Sequence, residues 1–242
     1  MPEIKDKNKN QKSSLRRGFF LFFPYIKPCF EGAYCKGKGG NKNMQFNQTQ
    51  TFLNLARAFA GESQAGMRYQ MIAQQAMAQG YKTLADTIRS IAKNETHHAR
   101  IFFDYLIKYA GSHDNINIDA GYPFHAGDLQ ENLRFAAQDE AEEQKRIYPT
   151  FAKIAKEEGF DDIARSFTQI ANIESHHNTI FSYLHEAVKS GTLYKNKTPI
   201  LWVCSECGYM HTSEEAWNIC PVCRQSQGYV ELHIPFNKEK LS

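Results

Sequence analysis

The sequence predicts a mainly α protein: a four-helix bundle followed by a small tetrathiolate metal domain. Three observations carry this. Glu-x-x-His occurs twice, from Glu95 to His98 and from Glu174 to His177, 79 residues apart and each inside the same apolar frame. Two further helical seams bring glutamates to the same level. Two Cys-x-x-Cys pairs, Cys204/Cys207 and Cys220/Cys223, follow near the C-terminus.

The first seam reads Leu55, Phe59, Glu62, Gly66, Tyr69 and Ala73. The second runs through Leu84, Ile88, Ile91, Glu95, His98, Phe102 and Tyr105. The third is Leu133, Ala136, Glu140, Glu143, Ile147, Phe151 and Ile154, and the fourth is Ile163, Phe167, Ile170, Glu174, His177, Phe181 and Leu184. Steps of three and four mark the buried stripe of a helix, so these glutamates and histidines point where core residues point. An ionised carboxylate in a core costs several kcal/mol unless paired or metal-bound. Something cationic must sit between the helices.

Five carboxylates and two imidazoles match the donor set of ferritin-like di-iron and di-manganese carboxylate bundles, in which two helices give a Glu each and two give Glu-x-x-His. One helix here carries an extra Glu. Two divalent ions, or two trivalent ions with an oxide bridge, leave such a site at about −1 by formal charge, so oxidation strands no large charge in the core. Carboxylate and imidazole suit iron or manganese, with zinc open on ligand type alone. The redox partner in the tail favours iron.

Gly80 and Gly159 end the first and third helical runs, each followed at once by another, which predicts two antiparallel hairpins. A long crossover holding Gly111, Pro123 and Gly127 joins them, giving the ferritin-like topology. The halves form an internal repeat at offset 79, where Gly80, Ala85, Ile91, Ala92, Glu95, His97, His98, Ile101 and Phe102 meet identical residues. Glu62 breaks it, aligning with Ala141, so two inequivalent metals are expected. His97 and His176 lie about 100° off the seam and are expected not to ligate. Asp139 and Glu142 are expected to be solvated.

A hinge is expected from Lys195 to Pro199. In the tail beyond it, Cys204-Ser-Glu-Cys207-Gly-Tyr and Cys220-Pro-Val-Cys223 form two knuckles that grip a tetrahedral ion from either side. Zinc is the rival to iron there. The sequence context favours iron, although Arg224 stands where a glycine usually completes the second rubredoxin knuckle. The expected division is an unstructured or mis-annotated extension over 1–43, the bundle over 44–194 and the rubredoxin-like domain over 195–242.

The 242 residues carry 29 Lys and Arg against 26 Asp and Glu, a net +3. Residues 1–43 hold ten of the basic and three of the acidic side chains, which leaves the remainder acidic. Nothing in the bundle or tail forms a nucleic-acid patch, since scattered charge is the ordinary mark of solvated helix faces. No apolar run approaches the roughly 18 residues that span a bilayer. Arg16-Arg17 ahead of Phe19 to Phe23 resembles a signal peptide, but the run is shorter than the roughly 7–15 residues of an apolar signal core and Pro24 ends it. A cytoplasmic location is expected. Lys38-Gly39-Gly40 is what a purine-rich ribosome-binding sequence would encode, which makes Met44 the expected natural start. Cys29 and Cys35 resemble neither knuckle.

Taken together, Ala60-Gly61-Glu62-Ser63-Gln64-Ala65, the two Glu-x-x-His helices, Glu140-x-x-Glu143 with Tyr148-Pro149, and the four-cysteine tail resemble rubrerythrin over about residues 46–236. The resemblance implies a non-haem di-iron peroxidase that reduces hydrogen peroxide to water, fed by a rubredoxin-type iron, with three irons per chain. It implies that Glu95 and Glu174 bridge the pair, that Glu62 holds one iron and Glu140 with His177 the other, and that Glu143 and His98 alternate on the first. Tyr69 and Tyr148 would hydrogen-bond site carboxylates. It further implies a homodimer, head to tail, or a higher homo-oligomer, and an external donor, a rubredoxin or an NAD(P)H-dependent reductase. Ferroxidase activity, dioxygen reduction and a zinc-ribbon interaction module are the competing readings.

Overall fold

The computed structural model describes residues 45–111 and 115–234; the expectations for the N-terminal extension, its start and its cysteines lie outside them. Four long helical runs form the bundle: α1 (Gln50–Ala78), α2 (Lys82–Ala110), a third run divided into α3 (Leu129–Glu142) and α4 (Tyr148–Glu157), and α5 (Asp161–Ser190). The starts of α1 and α3 carry side-chain caps. Thr49 accepts from the Phe52 amide at 3.1 Å, and Asp128 with Glu131 forms a capping box. The first amides of α1 are also held from across the fold, since Gln50 and Thr51 donate to the Glu158 carboxylate at 2.9 and 2.8 Å. A carboxylate there satisfies orphan donors and meets the positive end of the helix dipole.

The two hairpin turns repeat each other. Gly80 and Gly159 adopt φ of +86° and +89°, a conformation glycine enters without a side-chain clash. The Tyr81 amide then returns to the Ala76 carbonyl, as the Phe160 amide does to Ala155.

The third run departs from the expected continuous helix. A π-helical segment, Glu143–Ile147, separates α3 from α4. Its wider turn takes up one extra residue, so the buried face passes from Leu133, Ala136 and Glu140 to Tyr148, Ala152 and Ala155. Ile147, Phe151 and Ile154, expected on the seam, are only partly buried. Phe59 is likewise displaced from the α1 seam: it is 37 % exposed and packs against Phe103 at the surface, ring centroids 5.7 Å apart.

Beyond α5 the chain forms an antiparallel pair, β1 (Lys195–Val203) and β2 (Met210–Glu215). The expected hinge is therefore the start of a strand. A register shift between Lys195 and Ile200 accommodates Pro199, which has no amide to give a ladder. Trp202, Ala216 and Val230 are buried in one apolar cluster with Leu84, Leu129, Leu184 and Tyr194, so the tail shares the core at one end of the bundle. A second cluster, around Phe102, Tyr148, Ile163 and Phe167, fills the other end. The polar site lies between them.

Candidate metal centres

Glu62, Glu95, His98, Glu140, Glu174 and His177 are each at most 3 % exposed. They form two sets, Glu62/Glu95/His98/Glu174 and Glu95/Glu140/Glu174/His177, in each of which ligand atoms from all four residues lie within 4.8 Å of one another. Glu95 and Glu174 belong to both. His98 Nδ1 lies 3.2 Å from Glu95, 3.0 Å from Glu174 and 3.6 Å from Glu62. His177 Nδ1 lies 2.9 Å from Glu95, 2.7 Å from Glu174 and 3.8 Å from Glu140. The i, i+3 spacing within each motif places Glu and His on one helix face.

Helix packing brings α1 and α2 close at this level. A Cβ at Gly66 would lie 3.3 Å from the Ala92 carbonyl and 3.6 Å from the Glu95 Cβ, so the missing side chain lets the two helices approach. The tyrosines reach across the bundle. Tyr148 donates to Glu62 and Tyr69 donates to Glu140, each on the other hairpin's carboxylate. Seven-residue spacing put Tyr69 on the Glu62 face; its actual partner needed the tertiary fold.

Glu143 stands apart. It opens the π-helical segment, is partly buried and belongs to neither set. The two sets match in composition although Glu62 breaks the repeat, and Glu143 is the glutamate of the five that lies outside both. His97 is exposed and His176 partly buried, and both lie outside the sets. Asp139 is not solvated as expected: it pairs with Arg68 at 2.8 Å, and its side chain is 17 % exposed. Glu142 is exposed and pairs with Arg146.

The electrostatics show that this cluster needs cations. Burial, together with neighbouring carboxylates, pushes the Glu62, Glu140 and Glu143 carboxyls well above the usual range. Burial opposes ionisation of Glu95 as well, but the neighbouring His177 and His98 imidazoles outweigh it and bring its pKa down to about 2. Burial also opposes a charged His98, yet Glu174, Glu62 and Glu95 overcome it and push its pKa up to about 12. His177 is raised in the same way. Without metal, the surrounding carboxylates favour the charged form of both imidazoles, the same sign of charge that a metal would bring.

Even so, Glu62 Oε2, Glu95 Oε1, Glu140 Oε2 and both oxygens of Glu174 are buried without a hydrogen-bond partner. Such orphaned acceptors are costly unless an ion takes them. The donor set fits two irons.

In the tail, Cys204 and Cys223 bring their sulfurs within 3.7 Å, as do Cys207 and Cys220. Four thiolates at about 2.3 Å from a tetrahedral ion stand about 3.8 Å apart, whereas a disulfide sets sulfurs about 2.05 Å apart. The set fits a tetrathiolate iron, giving three irons per chain. The knuckles mirror each other: the Gly208 amide returns to the Cys204 carbonyl at 2.9 Å and the Arg224 amide to Cys220 at 3.0 Å. Gly208 has φ +73°, and Arg224 takes the same left-handed conformation at +66°.

Fold and site together define a ferritin-like carboxylate bundle carrying a rubredoxin-like tail. The rubrerythrin family profile matches residues 54–185, and that of the rubrerythrin rubredoxin-like domain matches residues 202–231. A rubrerythrin of Porphyromonas gingivalis is 38 % identical over 192 residues, covering 79 % of this chain and 92 % of its own. One from Clostridium perfringens is 36 % identical, with coverages of 76 % and 94 %. The solved structure of a nigerythrin in a mixed-valence state superposes with a TM-score of 0.51 over 83 % of this chain and 91 % of its own, at 22 % identity, and supports the fold. The chain belongs to the rubrerythrin family.

Proposed function

We propose that this protein is an oxidoreductase that reduces hydrogen peroxide to water in the cytoplasm, as a defence against oxidative stress. One observation carries the reading: two buried carboxylate–imidazole sets share Glu95 and Glu174, in a chain that also gathers four cysteine sulfurs. Two electrons and two protons convert one peroxide into two waters. Bound in these sites, a ferrous pair would supply the two electrons at once, and the tetrathiolate iron would restore them singly.

The chain's own groups then have defined tasks. Glu95 and Glu174 belong to both sets and would help to hold both ions. Glu62 and His98 complete one set, Glu140 and His177 the other. Tyr148 and Tyr69 fix the carboxylates of Glu62 and Glu140 through their hydrogen bonds. Glu143 and His98 would each be able to hold an ion at the first position; His98 belongs to that set and Glu143 stands outside it. The apolar clusters on either side keep bulk water from the site. An external rubredoxin or an NAD(P)H-dependent reductase feeds the tail, and the working unit is a homodimer in which one chain's tail serves its partner's pair.

The four-cysteine tail argues against iron storage, because a ferroxidase needs no attached electron donor. Anaerobic stopped-flow mixing of the fully reduced, metal-counted protein with peroxide and, separately, with dioxygen tests the reading. Faster oxidation by peroxide is expected. Preferential reaction with dioxygen would replace peroxide reduction by an oxidase activity.

A further inference from the structure

The tail is seated on the turn that begins α2, and one glycine makes that seating possible. Gly228 is buried, and a Cβ there would lie 1.7 Å from the Gly80 carbonyl oxygen, 2.8 Å from the Gly80 carbonyl carbon and 3.4 Å from the Lys82 amide nitrogen. Its backbone does not require glycine, because Gly228 is not among the residues at positive φ. Space alone excludes a side chain. Beside it, the buried Thr83 hydroxyl donates to the Val230 carbonyl at 2.6 Å and lies 3.3 Å from that of Gly228.

The internal repeat shows that the helix itself does not need this threonine. Its counterpart at offset 79 is Asp162, which opens α5 and instead bonds Lys108 and Tyr109. On the tail side, Val230 bridges directly to Cys204, and the Ser205 amide donates to the Tyr229 carbonyl at 2.8 Å. The residue that Thr83 grips is thus paired with the first cysteine of the tetrathiolate set. Glu95 and His98 lie further along the same helix, Glu95 about 18 Å from Thr83 at the helical rise.

We propose that Thr83 and Gly228 are positioning residues: they latch the four-cysteine domain onto the first turn of α2 and so fix the electron donor relative to the bundle. The role in electron delivery rests on the peroxide-reductase reading, whereas the latch itself does not. Because tunnelling falls steeply with distance, a domain free on its strand would spend little time where it can deliver electrons, in its own chain or a partner's.

The test uses the full-length, iron-loaded chain with Gly228→Ala and Thr83→Val. X-ray scattering and amide NMR relaxation should show the tail moving independently of the bundle, while its red ferric tetrathiolate absorption persists. In stopped-flow, transfer from the reduced tail into the oxidised pair should slow by about tenfold or more, with oxidation of the pre-reduced pair by peroxide unchanged. If Gly228→Ala does not fold, Thr83→Val alone carries the test. Tails that tumble with the bundle in the folded variants would overturn the latch. Freed tails with undiminished transfer would overturn the positioning role. A protein inert to peroxide would sink the function while leaving the scattering result to decide the latch.

Discussion

His98 and His177 are both raised above the ordinary imidazole range, which sets protons against metal for their ring nitrogens. Burial disfavours their charged forms, but the surrounding glutamates reverse this and carry the His98 pKa from 6.5 to about 12. The sign follows: in the metal-free chain the stabilising contribution of protonated His98 is complete below about pH 6.5 and is lost as pH rises through about 12. Burial also raises the Glu62 and Glu140 carboxyls above the usual range. Iron uptake should therefore release protons and weaken as pH falls. Calorimetric titration in two buffers of different ionisation enthalpy measures this, and identical heats would contradict it. Sharing makes a second prediction. Glu95→Ala should lose both irons of the pair, because Glu95 serves both sets, whereas His177→Ala should impair mainly one. Metal counts and Mössbauer spectra distinguish the cases. The six inward residues were legible because a charged side chain on an apolar helical stripe stands out. The Arg68–Asp139 pair was not, since neither residue lies on a seam and only the tertiary fold joins them.

At the scale of elements, periodicity revealed the long helices but not the π-helical segment. Between Glu140 and Tyr148, one extra residue shifts the buried face, yet Ile147, Phe151 and Ile154 make as credible an apolar stripe as Tyr148, Ala152 and Ala155. An alternative that apolar cannot be told from pattern alone. The second knuckle offers a sharper test. Arg224 occupies a left-handed conformation that costs an L-residue about 1–2 kcal/mol, and glycine would relieve it at some expense in unfolded-state entropy. Arg224→Gly should stabilise the loaded tail by up to about 1 kcal/mol, while Arg224→Ala, which keeps the strain, should not. Denaturant midpoints followed at the ferric tetrathiolate absorption would show the difference.

Across the whole molecule, the internal repeat and the two metal signatures were readable in the sequence. The seat of the tail was not, because Thr83 and Gly228 look like ordinary turn residues until Gly80 is placed against them. The proposed homodimer predicts complementation. A chain with all four tail cysteines replaced by serine, mixed with a Glu95→Ala chain, should regain peroxide reduction in the hybrid, because an intact tail then faces an intact pair. Hybrids seen by native mass spectrometry but as inactive as either parent would place electron flow within one chain. The two ends of the bundle also differ in what closes them. Phe46, from the N-terminal side, packs on Phe160 and Tyr109 at one end, with centroids 5.0 and 5.2 Å away, while Trp202 and Val230 close the other. For anyone cutting the gene into modules, the boundary before Lys195 is thus deceptive: a bundle expressed alone would present Leu84, Leu193 and Tyr194 as a raw apolar end-face, and the redox appendage doubles as the stopper that keeps it dry.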